Sequence, residues 1–255
     1  MAMAEATGQA MPAAPQQATF ASFSPYALSL IAAVVLNLVL RLRILQHVVH
    51  TKTVMHGLLH GVQLTFLVLF GVLLIGFVWI LLWRVMPLLL RRQLPRRRHL
   101  LLLAQLASGM AGANLISENL VMYRINLSSY TLMLDAALLY VGMTLLFLFW
   151  YWHVDNPARF KGPLWERPLE AGAAAVPYGI VFPEETLEWD VQRGVSWRPG
   201  FMDYAYFTIL SSNCFGPPEG HLLVGPEIKT LHIVHSLSMI TVFIVILARA
   251  INTLS

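Results

Sequence analysis

Cysteine is almost missing from this chain. Cys214 is the single one in 255 residues, which excludes an internal disulfide and a thiolate-rich metal site. Charge is scarce as well, at 12% of positions, too little to solvate a soluble domain of this size. No basic stretch precedes the first apolar run, so a cleaved signal peptide is not expected. No Ser/His/Asp or paired-carboxylate pattern is present, and no phosphate-binding glycine loop, so the chain does not read as an enzyme. No cofactor and no metal site are expected. There is no internal repeat. The net charge of +4 does not mark a nucleic-acid partner, because six of the 17 basic residues (Arg84, Arg91, Arg92, Arg96, Arg97 and Arg98) gather where the second apolar run gives way to the third. Such a juxtamembrane cluster meets lipid headgroups and fixes topology.

What the chain has in excess is apolar length. Hydrophobic residues fill 57% of the positions, and the mean hydropathy is +0.65. Five runs match the roughly 20 residues that cross a hydrocarbon core: Pro25 to Leu45, Leu59 to Leu90, Leu100 to Met122, Tyr130 to Trp152, and Ile228 to Leu254. Each must satisfy its own backbone in lipid, so all read as helices. The fold expected is all-α, a polytopic integral membrane protein in a lipid bilayer, multi-pass in a bacterial inner (plasma) membrane. Residues 1–23, rich in Ala, Gln, Pro and Thr, read as a disordered tail. Residues 24–128 form the N-terminal transmembrane helices and 129–255 a second unit.

Between Trp152 and Phe201 lies the only long polar stretch, with seven acids against five bases and six prolines. It reads as an extramembrane connection (153–200) after the helix 129–152, which Trp150, Tyr151 and Trp152 close as an aromatic belt. Asp203 to Ser212 is then about ten residues, too short to cross. A Gly/Pro turn from Cys214 to Glu219 follows, and then a full-length helix (226–255). A half-length helix ending in a turn beside two complete helices is the pattern of a re-entrant loop (201–225). An amphipathic helix lying in the interface has the same length and remains open.

From Asp203 to Glu219 the sequence resembles the pore domain of the potassium-channel superfamily, without a gap. An acidic residue (Asp203) opens the pore helix, an aromatic pair follows (Tyr206, Phe207), and a Ser-rich end (Ser211, Ser212, Asn213) leads to the filter positions. The last helix matches the inner helix. From Tyr151 to Asn252 the chain is also similar to uncharacterised bacterial membrane proteins. The shared features are Tyr151-Trp152 followed by Asp155, Phe182-Pro183, Trp197-x-Pro199 before Asp203, and the terminal Ala248-Arg249-Ala250-Ile251-Asn252. The resemblance implies a pore-loop ion channel-like protein, a homotetramer with monovalent cations as the conducted partners. The alternative is a non-conducting structural subunit of a membrane redox or transport complex.

The filter positions depart from the family. They read Cys214, Phe215, Gly216, Pro217, Pro218 and Glu219, where a potassium filter needs a run of carbonyls on alternating backbone. Glycines supply the unusual angles, and only Gly216 survives. Two prolines fix φ and remove two amide donors. The expectation is a wider mouth, ringed by Glu219 carboxylates, or a pore sealed by Phe215. Topology adds a conflict: a loop facing outward puts Arg91 to Arg98 outside as well, against the positive-inside rule. An early segment that does not cross would resolve it.

Two carboxylates fall inside spans. Glu118 is expected to find a structural partner, for example Arg124, and Asp135 to sit near the interface in reach of water. Ser108 with Gly112, and Gly109 with Ala113, are small residues four apart, suited to close helix packing. His47, His50, His56 and His60 flank the first loop and His232 and His235 start the last helix; all read as interfacial, hydrated histidines.

Overall fold

A computed structural model describes residues 20–50, 56–93, 95–124, 128–160, 179–186 and 197–254. Among the described residues the chain is all-α apart from one two-stranded ribbon. The six helices longer than ten residues are α1 (Phe20–His50), α2 (His56–Ile80), α3 (Arg97–Arg124), α4 (Ser129–Phe160), α5 (Phe201–Cys214) and α6 (Pro226–Leu254). Every one except α5 contributes a stretch long and apolar enough to cross a membrane, α2 together with the helical turns that continue it to Leu90: Phe23–Val48, His60–Leu90, Arg98–Val121, Tyr130–Asp155 and Pro226–Ile244. The protein is thus membrane-embedded and multi-pass. The first four match the expected runs to within three residues at each end; the fifth begins two residues early and stops at Ile244, although its helix continues to Leu254. The expected tail lies outside the described residues up to position 19, and its last residues instead open α1, because Phe23 packs against Trp152 and so draws the helix start inward.

Local sequence explains the helix ends. Pro87 lacks an amide donor and crowds the carbonyl four residues back, so α2 widens before it into a π turn (Leu81–Val85) with the Met86 amide donating to the Leu81 carbonyl. A last helical stretch (Met86–Leu90) follows. Arg92, at φ 53°, then closes it in the left-handed conformation common past helix ends. Ser128 starts α4 by accepting the Thr131 amide on its hydroxyl at 3.3 Å. Gly225 and Pro226 start α6, proline being suited to the first helical position.

The long helices alternate in direction. Tyr26 stacks on Trp152 while Arg43 meets Asp135, so α1 and α4 are antiparallel. Trp150 donates to Ser108 at 2.9 Å, fixing α3 against α4 the same way. α2 lies on α3, with Leu106 near Gly76 and Leu73 near Gly109. Helices α1, α3 and α4 make the core; only 11% of the most apolar stretch of α2 is buried, so its outer surface is left for lipid. Of the small-residue pairs, Gly109 does mark a close approach, since a Cβ there would meet Leu73 at 3.0 Å. Gly112 has open space.

All four N-terminal helices are long and apolar enough to cross, the first two included. The arginine-rich turn between α2 and α3 therefore lies at the same end of the bundle as the start of α5. At that end the polar connection is partly ordered. Strand β1 (Gly179–Val181) pairs antiparallel with β2 (Leu222–Val224), Ile180 opposite Leu223. A short 3-10 turn (Pro183–Thr186) follows β1.

Candidate functional site

α5 is built to end inside the bundle. Gly200 caps it, and the Asp203 carboxylate, three residues on, accepts the Gly200 amide at 2.6 Å, where it also faces the positive end of the helix dipole. Fourteen residues make a rod of about 21 Å, short of the roughly 30 Å hydrocarbon core. The tip shows how deep it goes. The Ser236 hydroxyl, halfway along the Pro226–Ile244 span of α6, donates to the Phe215 carbonyl at 3.1 Å. Tyr140, in the middle part of α4, donates to the Asn213 amide oxygen at 2.8 Å. The Phe215 ring packs edge-on against Phe243 at 5.3 Å. Halfway down the spans, α5 stops and the chain turns back towards β2.

One face of α5 is buried against α4 and α6, and it holds a continuous polar chain. Ser212 donates to the Thr208 carbonyl at 2.8 Å, its oxygen lies 3.0 Å from His235 Nε2, and the Tyr151 hydroxyl lies 2.9 Å from both His235 Nδ1 and His232 Nδ1. Proton counting orients it. With the Ser212 proton committed to Thr208, His235 Nε2–H donates to Ser212 and His235 Nδ1 accepts from Tyr151. His232 Nδ1–H then donates to the Tyr151 oxygen. The Phe147 ring stacks on His235 at 4.2 Å. The expectation that His232 and His235 are hydrated at the interface is therefore wrong: they are 7% and 0% exposed. His47 is paired with Asp135, His60 is exposed, and the His50 and His56 side chains lie outside the described residues. No group of three His, Cys, Asp or Glu side chains able to hold a metal occurs among the described residues.

A second anchor sits at the mouth of α5. Asp155, at the end of the α4 span, accepts the Tyr204 hydroxyl at 2.5 Å and the Ile180 amide at 2.9 Å. Gly179, at φ 101°, has to be glycine there, since a Cβ would collide with the Asp155 carboxylate. Phe182 packs on Trp197, Tyr204 and Phe207. Of these, Asp155, Phe182 and Trp197 are residues of the second resemblance, brought together here around Tyr204 and Phe182. Tyr204 was not singled out by sequence; its signal was the i, i+3, i+4 spacing of Tyr204, Phe207 and Thr208, which marks the buried face.

The sequence-selected residues of the loop separate. Phe207 is fully buried against Tyr151, whereas Tyr206 is 57% exposed. Ser212 joins the polar chain; the Ser211 hydroxyl is buried with no partner among the described residues. Asn213, Cys214, Phe215, Pro217 and Glu219 are exposed, and Pro218 is buried. The left-handed residue is Phe215, at φ 56°, not Gly216. That conformation is uncommon and strained for a bulky side chain, and it is held by the Ser211 carbonyl, the Ser236 hydroxyl and the Phe243 ring.

The two intramembrane carboxylates are remote from this loop, at the opposite end of the spans. Asp135 is fully buried, bonded to Arg43 and, at 2.8 Å, to His47; protein groups satisfy it, not interfacial water. Glu118 lies among Arg41, Arg43 and Asp135, and the Arg124 side chain lies outside the described residues. Arg41 and Arg43 were overlooked because they stand near the end of the first apolar run, where charge is unremarkable. Comparison with protein-family models, curated proteins and solved structures finds no match to this chain.

Proposed function

We propose that this chain is one subunit of a pore-loop, ion channel-like membrane protein, with α4, α5 and α6 as outer helix, pore helix and inner helix. One observation carries the reading: irregular backbone from Phe215 to Gly220 turns at mid-span, largely exposed on the single chain. At that depth such backbone is tolerated only where protein covers it or water lines it. Copies meeting around a shared axis supply both, and four is the number implied by the potassium-channel superfamily that α5 resembles. Met202, Tyr206 and Ile209 of α5 and Leu237 and Ile244 of α6 are exposed and apolar, as a subunit contact or a lipid face requires.

With Pro217 and Pro218 in the return, the mouth is wider than a carbonyl filter. A ring of Glu219 carboxylates then concentrates monovalent cations. The setting is a bacterial plasma membrane. The positive-inside rule places Arg91 to Arg98 in the cytoplasm, so the loop enters from the cytoplasmic face. Gln93→Cys in a Cys214→Ser background should react with an impermeant thiol reagent in inside-out vesicles only; reaction from outside would reverse the orientation.

A second reading, a non-conducting structural subunit, is favoured by the Phe215 ring seated on Phe243, which would plug the tip. Cation flux into reconstituted vesicles separates the two. A channel passes sodium and potassium with no strong preference, and Glu219→Gln lowers flux most at low ionic strength, where screening is weak. Equal flux in wild type and variant at both salt levels removes Glu219 from the path. No flux at all leaves the structural reading.

A further inference from the structure

The charges of the N-terminal helices take no part in the loop, and their bonding is incomplete. Arg41, four residues after Asn37 on α1, faces Asn114, Ser117 and Glu118 on α3, with Gln63 reaching in from α2. Arg41 Nη1 donates to the Ser117 hydroxyl at 3.0 Å, Gln63 Nε2 to the Ser117 carbonyl at 3.3 Å, and Asn114 Nδ2 to the Asn37 carbonyl at 2.7 Å. These bonds gather Arg41, Gln63 and Asn114 about one turn of α3, where Glu118 also stands. All four are at most 1% exposed. Yet Arg41 Nε and Nη2, both Glu118 carboxylate oxygens, Gln63 Oε1 and Asn114 Oδ1 find no partner among the described residues.

Burying unpaired polar atoms is costly, and more so for charged ones, so the site requires a ligand that both donates and accepts. Glu118 and the amide oxygens need donors; the guanidinium needs acceptors. The Arg41 guanidinium opposes a metal cation, and the neighbouring Asp135 carboxylate opposes an anion. Water meets both demands and is the usual occupant of polar interior sites. A polar trail leads outward from it. Asp135 is bonded to Arg43 and His47, whose side chains are 25% and 15% exposed. In the other direction Leu30, Ala33, Leu103, Ala107 and Leu146 close the core with apolar groups.

We propose that α1, α2, α3 and α4 enclose a blind, hydrated inlet: a binding site for water molecules that join Arg41 to Glu118, entered past His47, Asp135 and Arg43. It admits water, and the protons water carries, to the interior of the bundle at the end opposite the α5 loop, independently of whether that loop conducts.

Radiolytic hydroxyl-radical footprinting of the full chain in lipid nanodiscs tests this, because radicals form where water is bound. Phe70 is the reporter: it is 2% exposed, and the Arg41 guanidinium lies 5.2 Å over its ring. Phe149, 0% exposed in the apolar core, is the control. The expected result is oxidation of Phe70 several-fold faster than Phe149. Equal background rates at both rings overturn the inlet on wild-type protein alone. In Arg41→Met/Glu118→Leu, the Phe70 rate should fall to that of Phe149. A rate that stays high in a folded double variant also overturns the proposal.

Discussion

Two buried polar clusters, one at each end of α4, are finished to different degrees. Behind α5, Tyr151, His232, His235, Ser212 and Thr208 form one directed chain that leaves only His232 Nε2 over, with the Ser211 hydroxyl nearby. Around Ser117, four side chains leave six atoms over. A satisfied network specifies one arrangement and rigidifies it; here it fixes a half-length helix that propensity alone would leave marginal. An unsatisfied one holds solvent. The same residue types thus position a helix in one place and make room in the other, and the difference lies in the count of protein partners.

The largest effect expected is at the hydrated end. Arg43→Met leaves the fully buried Asp135 carboxylate with His47 alone, which should cost about 3 kcal/mol, as breaking buried pairs does. Replacing both members, Arg43→Met with Asp135→Leu, should recover most of that loss in a detergent melting experiment. A double variant as unstable as the single one would mean that Asp135 is held by groups outside this pair.

At the satisfied end the effect is smaller and local. Tyr151→Phe removes the hydroxyl between the two imidazoles and should cost about 1–3 kcal/mol. It should also loosen the tip of α5, read as faster thiol labelling of Cys214, which is exposed beside it. Lower stability with unchanged Cys214 reactivity would show that the chain of bonds does not position α5.

The smallest change in stability is expected at Phe215. Glycine relieves a left-handed cost of about 1–2 kcal/mol and forfeits ring packing on Phe243 of about 0.5–1.5 kcal/mol, so Phe215→Gly should melt near wild type. Its flux is the informative quantity. A rise marks Phe215 as a plug, and unchanged flux places the ring outside the conduction path.

Sequence made the helices legible because each long one has to satisfy its backbone alone and show apolar side chains to lipid, a constraint written in run length. It also marked α5, through its length and the Gly/Pro turn. What stayed hidden depends on pairing between distant helices. Tyr206 and Phe207 look alike in sequence, yet only the i, i+3, i+4 face of Tyr204, Phe207 and Thr208 meets α4. His232 and His235 look hydrated until Tyr151, some 80 positions earlier, is set between them. Likewise Arg41 reads as the end of a span until Ser117 and Glu118 are brought opposite it. The left-handed Phe215 had no sequence signal, since glycine sits at the next position.

A pore-loop assembly requires the mid-span turn to be covered by neighbouring copies. Native mass measurement of the protein released from lipid nanodiscs, on wild type and on a variant with Leu237→Lys in the exposed face of α6, tests that directly. Four copies for wild type, falling to smaller species for the variant, is the predicted result. A wild-type monomer, with Cys214 freely alkylated at the tip, would contradict it.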